Sequence, residues 1–140
     1  MISLDTNILV ALLYREANTS AVVATLDGLG DMPLHIHISV YAELLAAPRM
    51  SQDVLDNFLQ TYAITLDAAT SPEEWFMAGR AFREYAERRR RSGGGQPRRL
   101  LVDFVVGAHA MHRGQTLLTL DPQHYRQGFP ELRVIHPLQT

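Results

Sequence analysis

Cysteine and lysine are both absent from this chain. Without cysteine there are no disulfides, thiolate metal sites or cysteine nucleophiles. Without lysine, all 13 basic residues are arginine, a usage that by itself carries no functional inference. There is no run of about 18 apolar residues of the kind that spans a membrane. The apolar N-terminus is broken by Asp5 and no basic residue precedes it, so it does not read as a signal peptide. A cytoplasmic protein with no membrane segment is expected. What is present is the balance of an ordinary globular protein: 140 residues, 46% hydrophobic and 20% charged. That length matches one compact domain with a proper core, here residues 1–140.

The net charge of −2 hides an uneven distribution. Eight arginines fall between Arg80 and Arg99, opposed there only by Glu84 and Glu87, so the segment carries about +6 and the remainder about −8. A cationic stripe therefore accompanies an acidic body.

Short apolar runs alternate with amphipathic stretches, and there is no internal repeat. Met1 to Leu4 reads as a buried first strand, followed by helices over Asn7 to Tyr14 and Ser20 to Leu29. Leu34 to Ser39 alternates as a strand does. Ser39 is placed to cap a helix through Glu43 to Ala47, stopped by Pro48. Gln52 to Thr61 predicts a helix and Ile64 to Leu66 a strand. Ser71-Pro72-Glu73-Glu74 opens the clearest helix, with a serine cap, proline at the first position and Glu74 completing a capping box. Trp75, Ala78, Gly79, Phe82 and Ala86 form its expected core face. It runs through Arg88 to Arg91 and ends at Ser92-Gly93-Gly94-Gly95. A second apolar helix covers Leu100 to His112, a strand Thr116 to Leu120, and a last strand Leu132 to His136 after a loop containing Pro122, Gly128 and Pro130. Such alternation predicts an α/β fold with a mainly parallel sheet covered by helices on both faces. Ligands gather at the carboxyl ends of such strands, where Asp5 and Asp121 both fall.

Four carboxylates stand out. Asp5, in LDTNIL, serves as a helix cap, as a catalytic acid, or as both. Glu43, in SVYAELLAA, lies four residues after Ser39, off register for a capping box, which leaves a solvated helix face or a functional role. Asp103 sits inside LLVDFVVGAHA with apolar neighbours on both sides. A charge there needs a partner, since burying an unpaired carboxylate costs several kcal/mol. That partner is either Arg98 or Arg99, or a functional ligand. Gly107 and Ala110 follow at helical spacing, leaving room on its face. Asp121, in TLLTLDPQHY, is a turn opener or a site residue. If the four converge, each pair about 5 Å apart repels by about 3 kcal/mol at an effective dielectric near 20. Cations would relieve that repulsion, and oxygen ligands, with Asn7 and Thr119 nearby, suit Mg²⁺ or Mn²⁺ rather than zinc. Such ions activate water and stabilise charge on a phosphate.

The ordered set DTNIL, SVYAEL, VDFVVGAHA, LLTLDPQHY and FPELRVI resembles the PIN-domain nucleases, and most of all the VapC-type toxins of bacterial toxin–antitoxin pairs. The resemblance covers nearly the whole chain. It implies a three-layer αβα PIN-like fold with a central, mainly parallel sheet. Asp5, Glu43, Asp103 and Asp121 match the family's acidic quartet, as catalytic and metal-holding residues, with Asn7 and Thr119 in supporting positions. It further implies a Mg²⁺- or Mn²⁺-dependent endoribonuclease cutting RNA such as tRNA or rRNA, a homodimer, and a cognate antitoxin that covers the site.

The stripe Arg88, Arg89, Arg90, Arg91, Arg98 and Arg99 leads into the helix bearing Asp103. It either contacts an RNA backbone in a salt-dependent way, caps a helix end, or meets the antitoxin. His35 with His37, and His109 with His112, lack an obvious third ligand and read as structural; His124 lies near Asp121. Three rival functions have weaker support. A phosphotransferase using Asp5 would want an acid at Asn7, and a flap-type DNA nuclease would need more chain. A non-catalytic RNA- or partner-binding module of the same fold is the remaining alternative.

Overall fold

The computed structural model describes residues 1–95 and 101–139. Its elements, in chain order, are β1 (Ile2–Leu4), α1 (Thr6–Tyr14), α2 (Thr19–Gly28), β2 (Leu34–His37), α3 (Ile38–Leu45), α4 (Gln52–Thr61), β3 (Ile64–Asp67), α5 (Pro72–Arg91), α6 (Leu101–His112), β4 (Thr116–Leu118), α7 (Gln123–Gly128) and β5 (Val134–Ile135). The five strands form one sheet in the order β3-β2-β1-β4-β5. Every pairing is parallel, with Ile2 opposite both Leu34 and Thr116. The result is a three-layer α/β fold, wholly parallel in its described strands.

The central strands β1 and β4 are buried on both faces, which is why they read as short apolar runs, whereas β2 alternates and the edge strand β3 leaves Thr65 and Leu66 exposed. Ile2, Leu4, Ile36, Leu117 and Leu118 are sealed in one core with Ile8, Leu9, Leu44, Phe104 and Tyr125. The strand order matters for function. The chain builds outward from β1 through β2 to β3, returns by α5 and α6, and lays β4 and β5 on the other side of β1. The reversal between β1 and β4 is the topological switch point, where a crevice opens beyond the strand ends.

Several local expectations need correction. Ser39 is not the cap of α3. β2 passes directly into the helix, and His37 Nδ1 accepts the Ser39 N–H at 3.1 Å in its place. The capping box of α5 is present, with Ser71 Oγ and the Glu74 carboxylate each accepting the other's backbone N–H at 3.2 and 2.9 Å. Its buried face, however, is turned toward Glu74, Ala78 and Ala81, leaving Trp75 48% exposed and Gly79 exposed. The cause is Arg113 at the end of α6, whose guanidinium meets the wholly buried Glu74 at 2.9 Å and draws that residue inward. The segment around Pro122 and Gly128 is not all loop: it contains α7. Leu120 and Asp121 lie beyond β4 because their N–H groups are taken by the Asn7 and Thr119 side chains at 3.0 Å each, not by a neighbouring strand.

Candidate active site

Four elements converge on the crevice at the switch point. Asp5 follows β1 and caps α1, its Oδ1 accepting the Thr6 N–H at 2.9 Å. Glu43 projects from α3, Asp103 from the first turn of α6, and Asp121 from the segment after β4. All four line one pocket of ≈ 280 Å³, together with Thr6, Asn7, Glu16 and His124. The structure thus gathers Asp5, Glu43, Asp103, Asp121 and Asn7 around one space. Thr119 lies directly beneath it, bonded to Asp5.

The gathering is held by a connected set of hydrogen bonds. Thr119 Oγ1 donates to Asp5 Oδ2 at 2.8 Å and accepts from the Asp121 N–H at 3.0 Å and the Asn7 amide at 3.3 Å. Asn7 Oδ1 accepts the Leu120 N–H at 3.0 Å, tying the end of β4 to α1. Glu43 Oε1 accepts the Thr6 hydroxyl at 2.6 Å, which fixes α3 against the start of α1. His124 places Nε2 at 3.7 Å from Asp103 and Nδ1 at 4.0 Å from Asp121.

Electrostatics separates Asp5 from an ordinary surface acid. Burial pushes its proton affinity up, and the nearby Glu43 charge adds to this; the bonds from Thr119, Tyr125 and Thr6 only partly offset it. Tyr125, whose hydroxyl donates to Asp5 Oδ2 at 2.9 Å, is pushed well above the usual tyrosine range by burial and by the Asp5 and Asp103 charges. It therefore stays a proton donor. A cation placed among these carboxylates would relieve the cost of a charged Asp5. Among the described residues no three acids or histidines form a ready-made cage. The acids surround an open space instead, and its polar lining is mainly carboxylate, amide and hydroxyl oxygen, a donor set that suits Mg²⁺ or Mn²⁺ rather than zinc.

Sequence reasoning missed Thr6, Glu16 and Tyr125, and placed His124 near Asp121, within reach of a substrate. Thr6 has a visible signal, since it follows Asp5 at the strand end. Tyr125 has none in spacing, because only the docking of α7 on α6 brings it to Asp5. Gly107 is the key to that docking. Its missing side chain does not leave room for the site: a Cβ there would stand 2.4 Å from a Phe129 ring carbon and 3.1 Å from Tyr125 Cδ1. The arginines Arg88 to Arg91 form the last turn of α5 and do not line the acidic pocket. Arg89 bonds the Gly94 carbonyl, and Arg83 pairs with Glu87 at 3.1 Å, so part of the stripe's charge is internally engaged. Arg98 and Arg99 lie outside the described residues, and so does their suggested bridge to Asp103. Of the histidines, His37 bonds Thr70 Oγ1 at 2.7 Å, and His109 meets Asp67 at 3.0 Å, away from the pocket.

An acidic crevice at the switch point of a parallel sheet defines a class, and the chain's sequence defines the family. It belongs to the PIN domain family, which matches residues 2–130. No curated protein sequence matches the chain. Among solved structures it is similar to a chain of FitAcB from Neisseria gonorrhoeae, with 22% identity, TM-score 0.68 and full coverage of both chains. It is also similar to a chain of VapBC2 from Rickettsia felis bound to a DNA fragment from their promoter, with 22% identity, TM-score 0.66, and 97% of this chain and 98% of that one covered. A chain of VapBC-1 from nontypeable Haemophilus influenzae gives 19% identity, TM-score 0.68, and 99% and 100% coverage. No helix among the described residues is long and apolar enough to cross a membrane.

Proposed function

We propose that this protein is a metal-dependent endoribonuclease that hydrolyses RNA phosphodiester bonds, as the toxin of a toxin–antitoxin pair. The observation that carries the reading is the convergence of Asp5, Glu43, Asp103 and Asp121 on one pocket at the switch point of a PIN-domain fold. Asp5, Glu43, Asp103 and Asp121 would hold Mg²⁺ or Mn²⁺, which supplies a water of lowered pKa and a counter-charge for a phosphate under in-line attack. The chain's own part is to fix the acids. Thr119 and Tyr125 orient Asp5, Thr6 orients Glu43, and Asn7 anchors the backbone at Leu120. Arg88, Arg89, Arg90 and Arg91 supply cationic contacts for the RNA backbone outside the acidic pocket, and tRNA or rRNA is the substrate class.

The partner is a cognate antitoxin, a reading supported by similarity to a chain of a toxin–antitoxin complex from Klebsiella pneumoniae, with 16% identity and TM-score 0.68. A second groove supports this. It has a volume of ≈ 760 Å³ and is lined by Leu12, Val23, Leu26, Phe58 and Tyr62, and it meets the acidic pocket at Glu16, which lines both. A partner segment lying along that apolar groove would end over the acids and cover them. A homodimer belongs to the same reading.

The test is cleavage of total cellular RNA by purified protein with Mn²⁺, with Mg²⁺ and with EDTA, beside Asp5→Asn. Discrete fragments that need metal and vanish in the variant are expected. Intact RNA binding with no cleavage under any metal would instead favour the non-catalytic binding module.

A further inference from the structure

We infer that Tyr125 is a positioning residue that sets which oxygen of Asp5 a cation meets, and so selects a small octahedral ion over calcium. The inference rests on the metal-dependent reading above. A carboxylate oxygen has two lone pairs, and a hydroxyl has one proton and two lone pairs. Thr119 Oγ1 already accepts from the Asp121 N–H and the Asn7 amide, so its single proton goes to Asp5 Oδ2. Tyr125 donates to that same oxygen at 2.9 Å. Oδ2 is thereby fully committed. Among the described residues, Oδ1 accepts only the Thr6 N–H, at 2.9 Å, and keeps one acceptor position.

Asp5 lines the pocket while remaining only 5% exposed, so its carboxylate is not free to turn. A cation meets it through Oδ1 alone. Ca²⁺ takes six to eight oxygens at flexible geometry and often uses both oxygens of a carboxylate, whereas Mg²⁺ demands a tight octahedron and takes single oxygens readily. A key acid locked to one donor oxygen favours the second kind of ion. Thr119 alone would leave one lone pair of Oδ2 open; the tyrosine closes it. Tyr125 is wholly buried and lies against His124, with ring centroids 4.1 Å apart, so its hydroxyl is held on Asp5 by packing.

Tyr125→Phe keeps the ring and removes one oxygen. Calorimetric binding curves for EDTA-stripped protein, without RNA, give the affinities for Mn²⁺ and for Ca²⁺ in the wild type and the variant. The wild type is expected to prefer Mn²⁺. In the variant, Mn²⁺ affinity falls about tenfold, the scale for losing an outer partner of a metal ligand, while Ca²⁺ affinity holds or rises, so the ratio narrows. An unchanged ratio in a variant with the wild-type circular dichroism spectrum overturns the inference. Should that variant fail to fold, Thr119→Val frees the same oxygen and must narrow the ratio likewise; an unchanged ratio there overturns it too. A wild type that binds neither cation fails at an earlier step, and overturns the metal-dependent reading together with this one.

Discussion

Gly79 and Gly107 are both helix-interior glycines, yet alanine at the two sites should move stability in opposite directions. A Cβ on Gly79, on the exposed side of α5, meets nothing within 4 Å. Alanine there gains helix propensity of about 0.5–1 kcal/mol. A Cβ on Gly107 would stand 2.4 and 2.7 Å from two ring carbons of Phe129 and 3.1 Å from Tyr125 Cδ1. Both rings are buried, so neither can swing into solvent. Overpacking of that kind costs about 1–3 kcal/mol, against a propensity gain of about 1 kcal/mol. The 2.4 Å approach puts the cost at the upper end of that range, so the net loss is up to about 2 kcal/mol, lowering Tm by up to about 6 °C at a slope near 3 °C per kcal/mol for this chain length. Thermal and urea melts followed by circular dichroism, in EDTA, read both variants. Because the clash displaces α7, Gly107→Ala should also weaken Mn²⁺ binding, and Gly79→Ala should leave it alone. A Gly107→Ala protein as stable as Gly79→Ala would refute the docking of α7 on α6 and, with it, the placement of Tyr125.

Arg113→Ala should cost about 1–3 kcal/mol, because it leaves the buried Glu74 carboxylate with only the Ser71 N–H as partner; an unchanged urea-derived stability would contradict that pairing. Stability should also erode in acid. His37 is lowered to about 4 by burial and by the nearby His109, against the Asp67 and Glu74 charges, so the fold binds its proton less tightly than the unfolded chain. Its contribution is complete above the ordinary value of 6.5 and is lost as pH falls toward about 4. Glu74 is pushed up by burial but held lower overall by Arg113 and the Ser71 N–H, so its contribution is present above 4.5 and fades below. The urea midpoint is expected to fall across this window, and to fall less in His37→Asn; a flat midpoint would overturn both assignments. Replacing Arg88, Arg89, Arg90 and Arg91 with glutamine should flatten the dependence of RNA affinity on log salt by up to about one unit per lost phosphate contact, and an unchanged slope would exclude the stripe from RNA binding.

The parts of this fold legible in the sequence are those fixed by local chemistry. Ser71 to Glu74 announces a helix start because cap, proline and glutamate act within one turn. β1 and β4 announce themselves because burial on two faces demands apolar runs, and β2 by its alternation. The acids were legible for a related reason: Asp5 and Asp121 stand where apolar strands stop, and Asp103 interrupts an apolar helix. What stayed hidden depends on partners far along the chain. The face of α5 is set by Arg113, 39 residues beyond Glu74, and no periodicity within α5 records that a glutamate, not a tryptophan, turns inward. The cap of α3 is hidden for a subtler reason. Serine is the commoner capping residue, but β2 runs into α3 without a loop, so the residue at the junction is His37, and its ring does the capping.

Gly107 shows how one ambiguous signal joins the fold to the site. A glycine four residues after Asp103 suggests open space, and openness beside an acid suggests a binding cavity. The space is instead filled by Tyr125, from a six-residue helix too short to announce itself in the sequence, and by Phe129 just after it. That filling brings a phenol to within 2.9 Å of Asp5, 120 residues away in the chain. The same close approach that completes the core therefore orders the site. A substitution that loosens the first must disturb the second, which is why stability and cation preference should fail together at Gly107 and separately at Gly79.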